Sequence, residues 1–294
     1  MKIVESDTVN LKNASLILGF FDGIHLGHRA VISNAVSKAR ENNTKTLLLT
    51  FNTAPAEYFT GDFEYIYPRN ISYELISKLG VDYLIETDFS KLASIKARDY
   101  LQSLIDLYKP IAITTGFNHT FGLGKEGSPN FLEKCQEEYD YEYYCVPPVN
   151  TDNNTVSSSL IRELLKDGQI ESANNKLAEP FALESTIIHG ARLGRQIGFP
   201  TANMLYPEKI VKIPYGVYLV RVFDMLAVLN WGIKPSFGMN KEIMEVHIPN
   251  FDGNLYGKTL RIQILRKIRD EKRFENIEDL KTQIAKDVQE CLKL

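Results

Sequence analysis

The sequence predicts an α/β protein in two parts: a doubly wound, Rossmann-like parallel sheet, followed by a small antiparallel β-barrel with a C-terminal helix. Three observations predict this architecture. Strand-like and helical segments alternate through residues 1–180, short alternating segments with turns between them fill residues 181–294, and Pro180 separates the two patterns. A length of 294 residues accommodates two domains. We therefore predict one domain over residues 1–180 and a second over residues 181–294.

In the first part, short apolar runs predict buried strands, and apolar residues three or four positions apart predict helices. Ser15–Leu18 is the first predicted strand, and a helix follows from Arg29 to Arg40. The later predicted elements are strands at Thr46–Phe51, Tyr83–Ile85 and Ile111–Thr115, and helices at Ser72–Leu79, Ala97–Tyr108 and Glu163–Leu165. Ligands of such sheets bind outside the carboxyl ends of the strands. We therefore expect the functional residues of this part to lie in the turns that follow its strands.

A glycine-rich turn with two histidines joins the first strand to the first helix. It reads Gly19-Phe20-Phe21-Asp22-Gly23-Ile24-His25-Leu26-Gly27-His28. Backbone N–H groups and the positive end of the helix dipole face whatever lies over such a turn, which favours a phosphate. Histidines there can also donate hydrogen bonds to phosphate oxygens. The turn predicts a nucleotide-phosphate site, with a tight turn and incidental histidines as the alternative.

The second part reads as five short strands and one helix. The predicted strands are Glu184–His189, Gly216–Phe223, Met225–Asn230, Met244–Asn250 and Lys258–Ile268. Asn276 and Asp279 can cap a final helix, whose apolar stripe is Ile277, Leu280, Ile284, Val288 and Cys291. We expect that stripe to pack against the barrel.

Composition narrows the class of partner and compartment. A net charge of −3 argues against a nucleic-acid-binding surface. Three cysteines without metal-ligand spacing suit a reduced cytoplasm. The chain shows neither a signal peptide nor an apolar run long enough to span a bilayer. We expect a cytoplasmic protein with small-molecule substrates and no membrane or nucleic-acid partner, and the sequence leaves a homo-oligomer open.

A second glycine-rich loop lies near the start of the barrel part. Its informative residues are Gly190, Gly194-Arg195 and Gly198-Phe199-Pro200-Thr201-Ala202-Asn203. Glycines let backbone wrap phosphates, and the side-chain oxygens of Thr201 and Asn203 are hard ligands suited to magnesium. The spacing lacks the G-K-(S/T) of a Walker A loop, so from these residues alone the loop is weak evidence for nucleotide binding.

Taken together, these motifs resemble a known enzyme family. The first turn resembles the G-x-F-D-G-x-H-x-G-H signature of prokaryotic FAD synthetases, which are two-domain riboflavin kinase/FMN adenylyltransferases. Residues 116–122 resemble the family's G-x-(N/D)-F-x-F-G segment, with His119 in place of a Phe, and residues 157–162 resemble its S-S-(S/T)-x-I-R motif. Asn52-Thr53-Ala54-Pro55 departs from the family's x-P-H-P, so one phosphate-binding histidine is missing.

For the first domain, the resemblance implies adenylylation of FMN to FAD with release of pyrophosphate. It implies that His25, His28 and Arg162 are catalytic. The ATP-binding residues that it implies are Gly19, Phe20, Asp22, Gly23, Gly27, Ser157 and Ser158, and the flavin-binding residues are Asn118, Phe121 and Gly122. Serines at the start of a helix are also good N-caps, which is the structural alternative for Ser157 and Ser158.

The barrel part resembles a riboflavin kinase. Its loop matches the flavokinase motif G-R-x-x-G-F-P-T-A-N, and residues 230–238 resemble N-I-G-x-x-P-T-F-G, with Trp231 and Ser236 as departures. The resemblance implies ATP contacts from Gly190, Gly194 and Arg195, magnesium ligation by Thr201 and Asn203, and Glu245 as the general base. An outward-facing strand carboxylate is the structural alternative for Glu245.

The sequence thus predicts an enzyme of FAD biosynthesis that phosphorylates riboflavin to FMN and adenylylates FMN to FAD, with ATP as co-substrate and Mg²⁺ as cofactor. Two alternatives remain open. One is a monofunctional FMN adenylyltransferase with an inactive kinase-like domain, and the other is a non-catalytic flavin- or nucleotide-binding regulator.

Overall fold

In a computed structural model, the chain forms two compact units, and residues 1–5, 11–177, 179–190, 193–236 and 239–292 are described. The first unit holds residues 1–64 and 69–158, and the second holds residues 65–68 and 159–294. We propose that the two functional domains divide at 180/181, where the sequence pattern changes. Among the described residues, no helix combines the length and apolarity needed to cross a bilayer.

The first unit is built on a parallel six-stranded sheet. Its elements in chain order are β1 (Lys2–Val4), β2 (Ser15–Leu18), α1 (Leu26–Glu41), β3 (Thr46–Phe51), α2 (Pro55–Thr60), α3 (Arg69–Lys78), β4 (Tyr83–Thr87), α4 (Ala97–Tyr108), β5 (Ala112–Gly116), α5 (Pro129–Tyr139) and β6 (Glu142–Val146), followed by the hairpin β7 (Asn150–Thr151) and β8 (Asn154–Thr155). The strand order is β1-β4-β3-β2-β5-β6. From β2 the chain winds outward to β3 and β4, then returns to place β5 on the other side of β2. The doubly wound prediction is confirmed, and its switch point lies between β2 and β5.

Burial explains why these segments form the sheet. Leu16 and Ile17 are fully buried in the central strand β2, and α4 buries Ala97, Leu101, Leu104 and Tyr108 on one face. Because β2 and β5 are parallel neighbours, the turn after β2 and the loop after β5 emerge at the same edge of the sheet. This edge is where Rossmann-like sheets bind ligands.

The second unit is a closed antiparallel barrel with flanking helices. Helix α6 (Ser158–Lys166) spans the junction of the units. The elements that follow are α7 (Ile170–Leu177), β9 (Ala182–Ile188), α8 (Leu193–Gln196), β10 (Ala202–Leu205), β11 (Gly216–Val222), β12 (Met225–Ser236), β13 (Met239–His247), β14 (Thr259–Asp270) and α9 (Ile277–Leu292). The strand order around the barrel is β10-β13-β12-β11-β14-β9, which confirms the predicted barrel.

Four features of this unit differ from the sequence-based expectations. Strand β10 was not predicted, because it is only four residues long and lies between two irregular segments. The strand predicted at Met244–Asn250 begins at Met239 and ends at His247, while β12 continues to Ser236 instead of ending at Asn230. Ile277 of the predicted helix stripe is exposed, because α9 packs on β11, β12 and β14 through its last turns, where Val288 and Cys291 contact Val217, Leu219 and Val228.

Candidate active sites

The turn after β2 is held in a conformation that brings its backbone close to a ligand position. Gly23 has φ of +88°, and the fully buried Ile24 has φ of +40°, which a β-branched residue rarely adopts. His25 is the N-cap of α1, and its Nδ1 accepts a hydrogen bond of 3.3 Å from the backbone N–H of His28. Strained backbone of this kind is concentrated at binding sites, which supports a functional turn over an incidental one.

The two histidines form one stacked pair. Their ring centroids are 3.7 Å apart and their planes are inclined by 20°, and the ring of Phe21 meets that of His28 edge-on at 5.3 Å. A Cβ on Gly27 would lie 3.1 Å from Cε1 of His25, so glycine leaves room for the pair. His25 is buried and His28 is half-buried. The structure therefore brings both predicted catalytic histidines together at the N-terminus of α1.

The segment that enters α6 lies against this turn. The Ser158 hydroxyl donates a hydrogen bond of 2.8 Å to the Asp22 carbonyl, and the Val156 carbonyl lies 3.7 Å from the position of a Cβ on Gly27. Since its proton is used by Asp22, Ser158 holds the turn in place in this structure. Ser157 precedes it and is half-buried. Arg162 lies four residues further along α6, on the face of the helix that Ser158 begins.

In the loop after β5, the three predicted flavin-binding residues have different environments. Asn118 is exposed at the ligand edge of the sheet. Phe121 packs against the core, with ring centroids of Tyr100 and Phe131 at 5.7 and 5.9 Å. Gly122 has φ of +75°, and a Cβ there would lie 2.6 Å from the backbone nitrogen of Ala97. Asn118 is thus the most exposed of these three, while the half-buried Phe121 and Gly122 fix the shape of the loop.

His119, the departure from the family pattern, packs under this loop. Its ring stacks on Phe121 with centroids 5.6 Å apart. Its Nε2 is buried and has no hydrogen-bond partner in the part of the chain that the structure describes. Burial lowers the pKa of His119 to about 4. At the other departure, Ala54 is fully buried at the N-cap position of α2.

In the second unit, the glycines of the barrel loop make room for the predicted magnesium ligands. A Cβ on Gly190 would lie 2.6 Å from Cγ of Asn203, and one on Gly194 would lie 2.4 Å from the Phe199 carbonyl oxygen. The Asn203 side chain donates from Nδ2 to the Thr201 carbonyl at 3.4 Å. Ala191 and Arg192 of this motif, and Phe237 and Gly238 of the later one, lie outside the described residues.

Strand pairing places Glu245 beside this loop. Glu245 on β13 lies directly opposite Asn203 on β10 and directly opposite Asn230 on β12. Residues directly opposite one another project from the same face of a sheet. Asn230 donates from Nδ2 to Oε2 of Glu245 at 3.4 Å. Two residues along β13, His247 contacts the Pro200 carbonyl through Nδ1 at 2.9 Å, which ties the strand to the Thr201 loop.

A cavity of about 520 Å³ opens next to Thr201. Arg195, Thr201, Asp252, Asn254 and Tyr256 supply most of its polar lining. The ring of Tyr256 stacks on that of His189 with centroids 4.2 Å apart. The cavity combines an arginine and side-chain oxygens with aromatic surface, which suits a ligand with phosphates and a planar ring.

Comparison with known proteins identifies a family for each part of the chain. Residues 7–160 match the family model of FAD synthetase, and residues 177–294 match that of riboflavin kinase. A bifunctional riboflavin kinase/FMN adenylyltransferase of Escherichia coli K12 is 30% identical over 281 residues, which cover 92% of this chain and 90% of the relative. The chain belongs to this bifunctional family.

Other relatives cover the chain as fully. The Bacillus subtilis member is 32% identical over 95% of this chain and 91% of its own length, and the Haemophilus influenzae member is 32% identical over 95% and 93%. A crystal structure from Streptococcus pneumoniae, described as a macrolide-efflux protein, matches with a TM-score of 0.89 at 27% identity over 99% of both chains. The family assignment rests on the two family models and the curated relatives.

Within the family's kinase-like barrel, the residues present suit a magnesium ion. Thr201 and Asn203 carry alcohol and amide oxygens, and the Glu245 carboxylate is the cross-strand neighbour of Asn203. Mg²⁺ is usually bound by a few protein oxygens, and phosphate oxygens of the substrate complete its coordination. A cluster of three or more His, Cys, Asp or Glu side chains that could hold a metal does not occur among the described residues.

Sequence reasoning did not find the hydrogen bonds of Asn230 and His247 or the packing of Trp231. Asn230 begins the motif at residues 230–238, but no signal in one strand shows which residue of the next strand lies opposite. Trp231, a departure from the family motif, is fully buried on the opposite face of β12 from Asn230. Its Nε1 donates to the Ile213 carbonyl at 3.1 Å, and its ring packs against Tyr206 and Tyr215.

Proposed function

We propose that this chain makes FMN from riboflavin at the barrel and FAD from FMN at the parallel sheet, each time with ATP. The observation that carries the proposal is that each unit assembles its own polar site within the matching family region: the stacked His25–His28 pair in one, and the Asn203–Glu245 pairing beside Thr201 in the other. The enzyme is thus a bifunctional transferase of FAD biosynthesis.

In the kinase reaction, Glu245 would act as general base. It accepts the proton of the terminal ribityl hydroxyl of riboflavin while that oxygen forms a bond to the γ-phosphorus of ATP. The bond from the γ-phosphorus to the bridging oxygen breaks, and ADP leaves. Thr201 and Asn203 would hold Mg²⁺, which neutralises charge on the transferred phosphoryl group. Gly190, Gly194 and Arg195 would contact the phosphates of ATP.

In the adenylyltransferase reaction, an oxygen of the FMN phosphate attacks the α-phosphorus of ATP in line. The bond to the β-phosphate oxygen breaks and pyrophosphate leaves, so no covalent enzyme intermediate is needed. His25 and His28 would stabilise the negative charge that develops at the α-phosphate. The turn of Gly19, Phe20, Asp22, Gly23 and Gly27 would cradle the nucleotide, with Ser157, Ser158 and Arg162 toward the departing phosphates and Asn118, Phe121 and Gly122 toward the flavin.

The purified chain tests this proposal with riboflavin, ATP and Mg²⁺, the products being separated by chromatography. Accumulation of both FMN and FAD is expected. FAD that forms only when FMN is supplied would indicate a monofunctional adenylyltransferase, and no turnover with either flavin would contradict both activities. Omission of Mg²⁺ should abolish both reactions, with Ca²⁺ as a matched control for a divalent ion of different geometry.

A further inference from the structure

We infer that Asn230 is a positioning residue for Glu245 in riboflavin phosphorylation, an inference that rests on the proposed role of Glu245 as the base. The two residues lie directly opposite each other on the adjacent strands β12 and β13. The Asn230 amide donates from Nδ2 to Oε2 of Glu245 at 3.4 Å. Neither the family resemblance nor the loop motif assigns a role to Asn230.

The location of Asn230 on the barrel makes a purely structural role a poor explanation. Along the outer face of β12, Leu226 and Val228 pack with the apolar cluster under α9, and Asn230 is the next residue on that face. Its neighbour on the other side is Val217, a buried member of the same cluster. An apolar side chain would extend this cluster, whereas a half-buried amide costs free energy unless it is hydrogen-bonded. The hydrogen bond to Glu245 supplies that partner.

This hydrogen bond restricts the torsion that a general base most needs to control. The terminal torsion of a glutamate is broad and poorly defined by its own backbone. Glu245 lies between two amides, Asn203 on β10 and Asn230 on β12, and the second of these donates to one defined oxygen. A donor to a charged carboxylate makes a stronger hydrogen bond than one to a neutral acceptor. The row Asn203–Glu245–Asn230 therefore presents the carboxylate in one orientation beside the Thr201 loop.

The test compares full-length variants that differ at this amide. Asn230→Leu keeps the branched shape and the number of side-chain heavy atoms and removes the donor. Asn230→Gln keeps a donor on a longer side chain. The leucine variant should lower kcat for FMN formation by about 10- to 100-fold, the range for a hydrogen bond to a charged group. KM for ATP should change by less than about two-fold, because the substitution removes no contact with bound ATP. The glutamine variant should recover part of kcat.

A control variant and a second readout separate positioning from stability. Gln263→Leu removes another half-buried amide from the outer face of the barrel and should leave kcat unchanged. Gln263 lies on β14, six residues from Arg269, the residue of that strand in line with Asn230 across β11. Fluorescence of Trp231, the one tryptophan of the chain, reports unfolding of the barrel. If the leucine variant does not fold, Asn230→Ala, which removes the donor without adding a second carboxyl beside Glu245, should show the same loss of kcat.

The outcomes distinguish this inference from the proposed function. Wild-type kcat in Asn230→Leu, or equal loss in the leucine and glutamine variants, would overturn the positioning role. If Glu245→Gln is inactive as a kinase while Asn230→Leu is normal, the positioning role fails and the base assignment stands. If Glu245→Gln keeps full activity, the base assignment itself fails. In the Glu245→Gln background, Asn230→Leu should cause no further loss, because the two residues act as one unit.

Discussion

At the scale of single residues, the stacked histidines give the first prediction. His28→Ala removes one ring of the pair and, under the proposed mechanism, one donor toward the α-phosphate. We expect FAD formation from FMN to fall by about 10²- to 10³-fold, the effect of removing one preorganised donor, while FMN formation from riboflavin is unchanged. Steady-state rates of the two half-reactions measure this. His189→Ala, which removes a histidine beside the barrel cavity, is a control that should leave FAD formation from FMN unchanged. Loss of FMN formation in His28→Ala would contradict separate sites.

A glycine of the second unit gives a prediction about the proposed magnesium ligands. In Gly190→Ala, the new Cβ would lie 2.6 Å from Cγ of Asn203, so the amide must move. We expect riboflavin kinase activity to fall by at least about ten-fold while adenylylation of FMN is retained. The double variant Gly190→Ala/Asn203→Ala should recover barrel stability, measured by Trp231 fluorescence, without recovering activity. If the double variant does not recover stability, Gly190 is needed for the backbone conformation and not to make room for Asn203.

His119 predicts a dependence of folding stability on pH. Its pKa is about 4 in the folded chain and about 6.5 when unfolded, so between these values the unfolded state binds the proton and the folded state does not. Above pH 6.5, burial of the neutral His119 does not reduce the free energy of unfolding. As the pH falls from 6.5 toward 4, the free energy of unfolding decreases by roughly 3 kcal/mol in all. Urea unfolding followed by circular dichroism at pH 7.5 and pH 5 measures the loss.

The variant His119→Phe restores the family's residue and should flatten that pH dependence. Its advantage over the natural chain should therefore be larger at pH 5 than at pH 7.5. His189→Phe, at an exposed histidine, is the matched control and should leave the dependence as it is. An equal gain at both pH values would mean that packing, and not the buried imidazole, limits stability.

At the scale of elements, the sequence predicts best where one face of a segment is fully buried. β2 and α4 begin and end where their apolar pattern predicts, because Leu16, Ile17 and Leu101 have no exposed surface and the period of the pattern follows the core. The end of β13 was misplaced because Ile248 and Pro249 are also buried, although they have left the barrel ladder. At such strand ends, residues can stay buried after strand pairing has stopped. The sequence reveals the burial of these residues but not their pairing.

The candidate sites show the same limit. Motif spacing predicts the histidine turn, since all of its residues lie within one strand-to-helix connection. The orientation of Phe121 and Trp231 could not be predicted, because an aromatic residue beside glycines can face either a ligand or the core. Asn230 needed the register of two strands, which depends on contacts far apart in the sequence.

The docking of α9 gives a prediction for an element. Arg269 of β14 makes a two-pronged ion pair with Asp287, which is 3% exposed, and Gln283 donates to the same carboxylate at 2.9 Å. Asp287→Ala leaves the guanidinium half-buried without its partner and should destabilise the barrel by about 3 kcal/mol. Urea unfolding followed by Trp231 fluorescence measures this. Glu290 lies on the same helix and forms an exposed ion pair with Arg266 of β14. Glu290→Ala breaks that pair and should destabilise the barrel by less than about 1 kcal/mol. Equal effects would mean that burial of Asp287 does not matter.

At the scale of the whole molecule, the His25–His28 turn and the Asn203–Glu245 pairing lie in separate compact units, each with its own core. If each reaction is completed within one unit, the link between them is free FMN. Two full-length variants with complementary defects should then cooperate in solution. His28→Ala should make FMN and stop there, and Glu245→Gln should use supplied FMN and be unable to make it.

Neither variant alone should convert riboflavin to FAD, whereas an equimolar mixture should do so after a lag in which FMN accumulates in solution. The lag should shorten as the concentration of the His28→Ala chain rises, because that chain sets the rate at which FMN is supplied. Sampling the mixture over time and separating riboflavin, FMN and FAD by chromatography measures both quantities. FAD formation that fails in the mixture but succeeds when FMN is added would show that FMN made by one chain is not released for use by another.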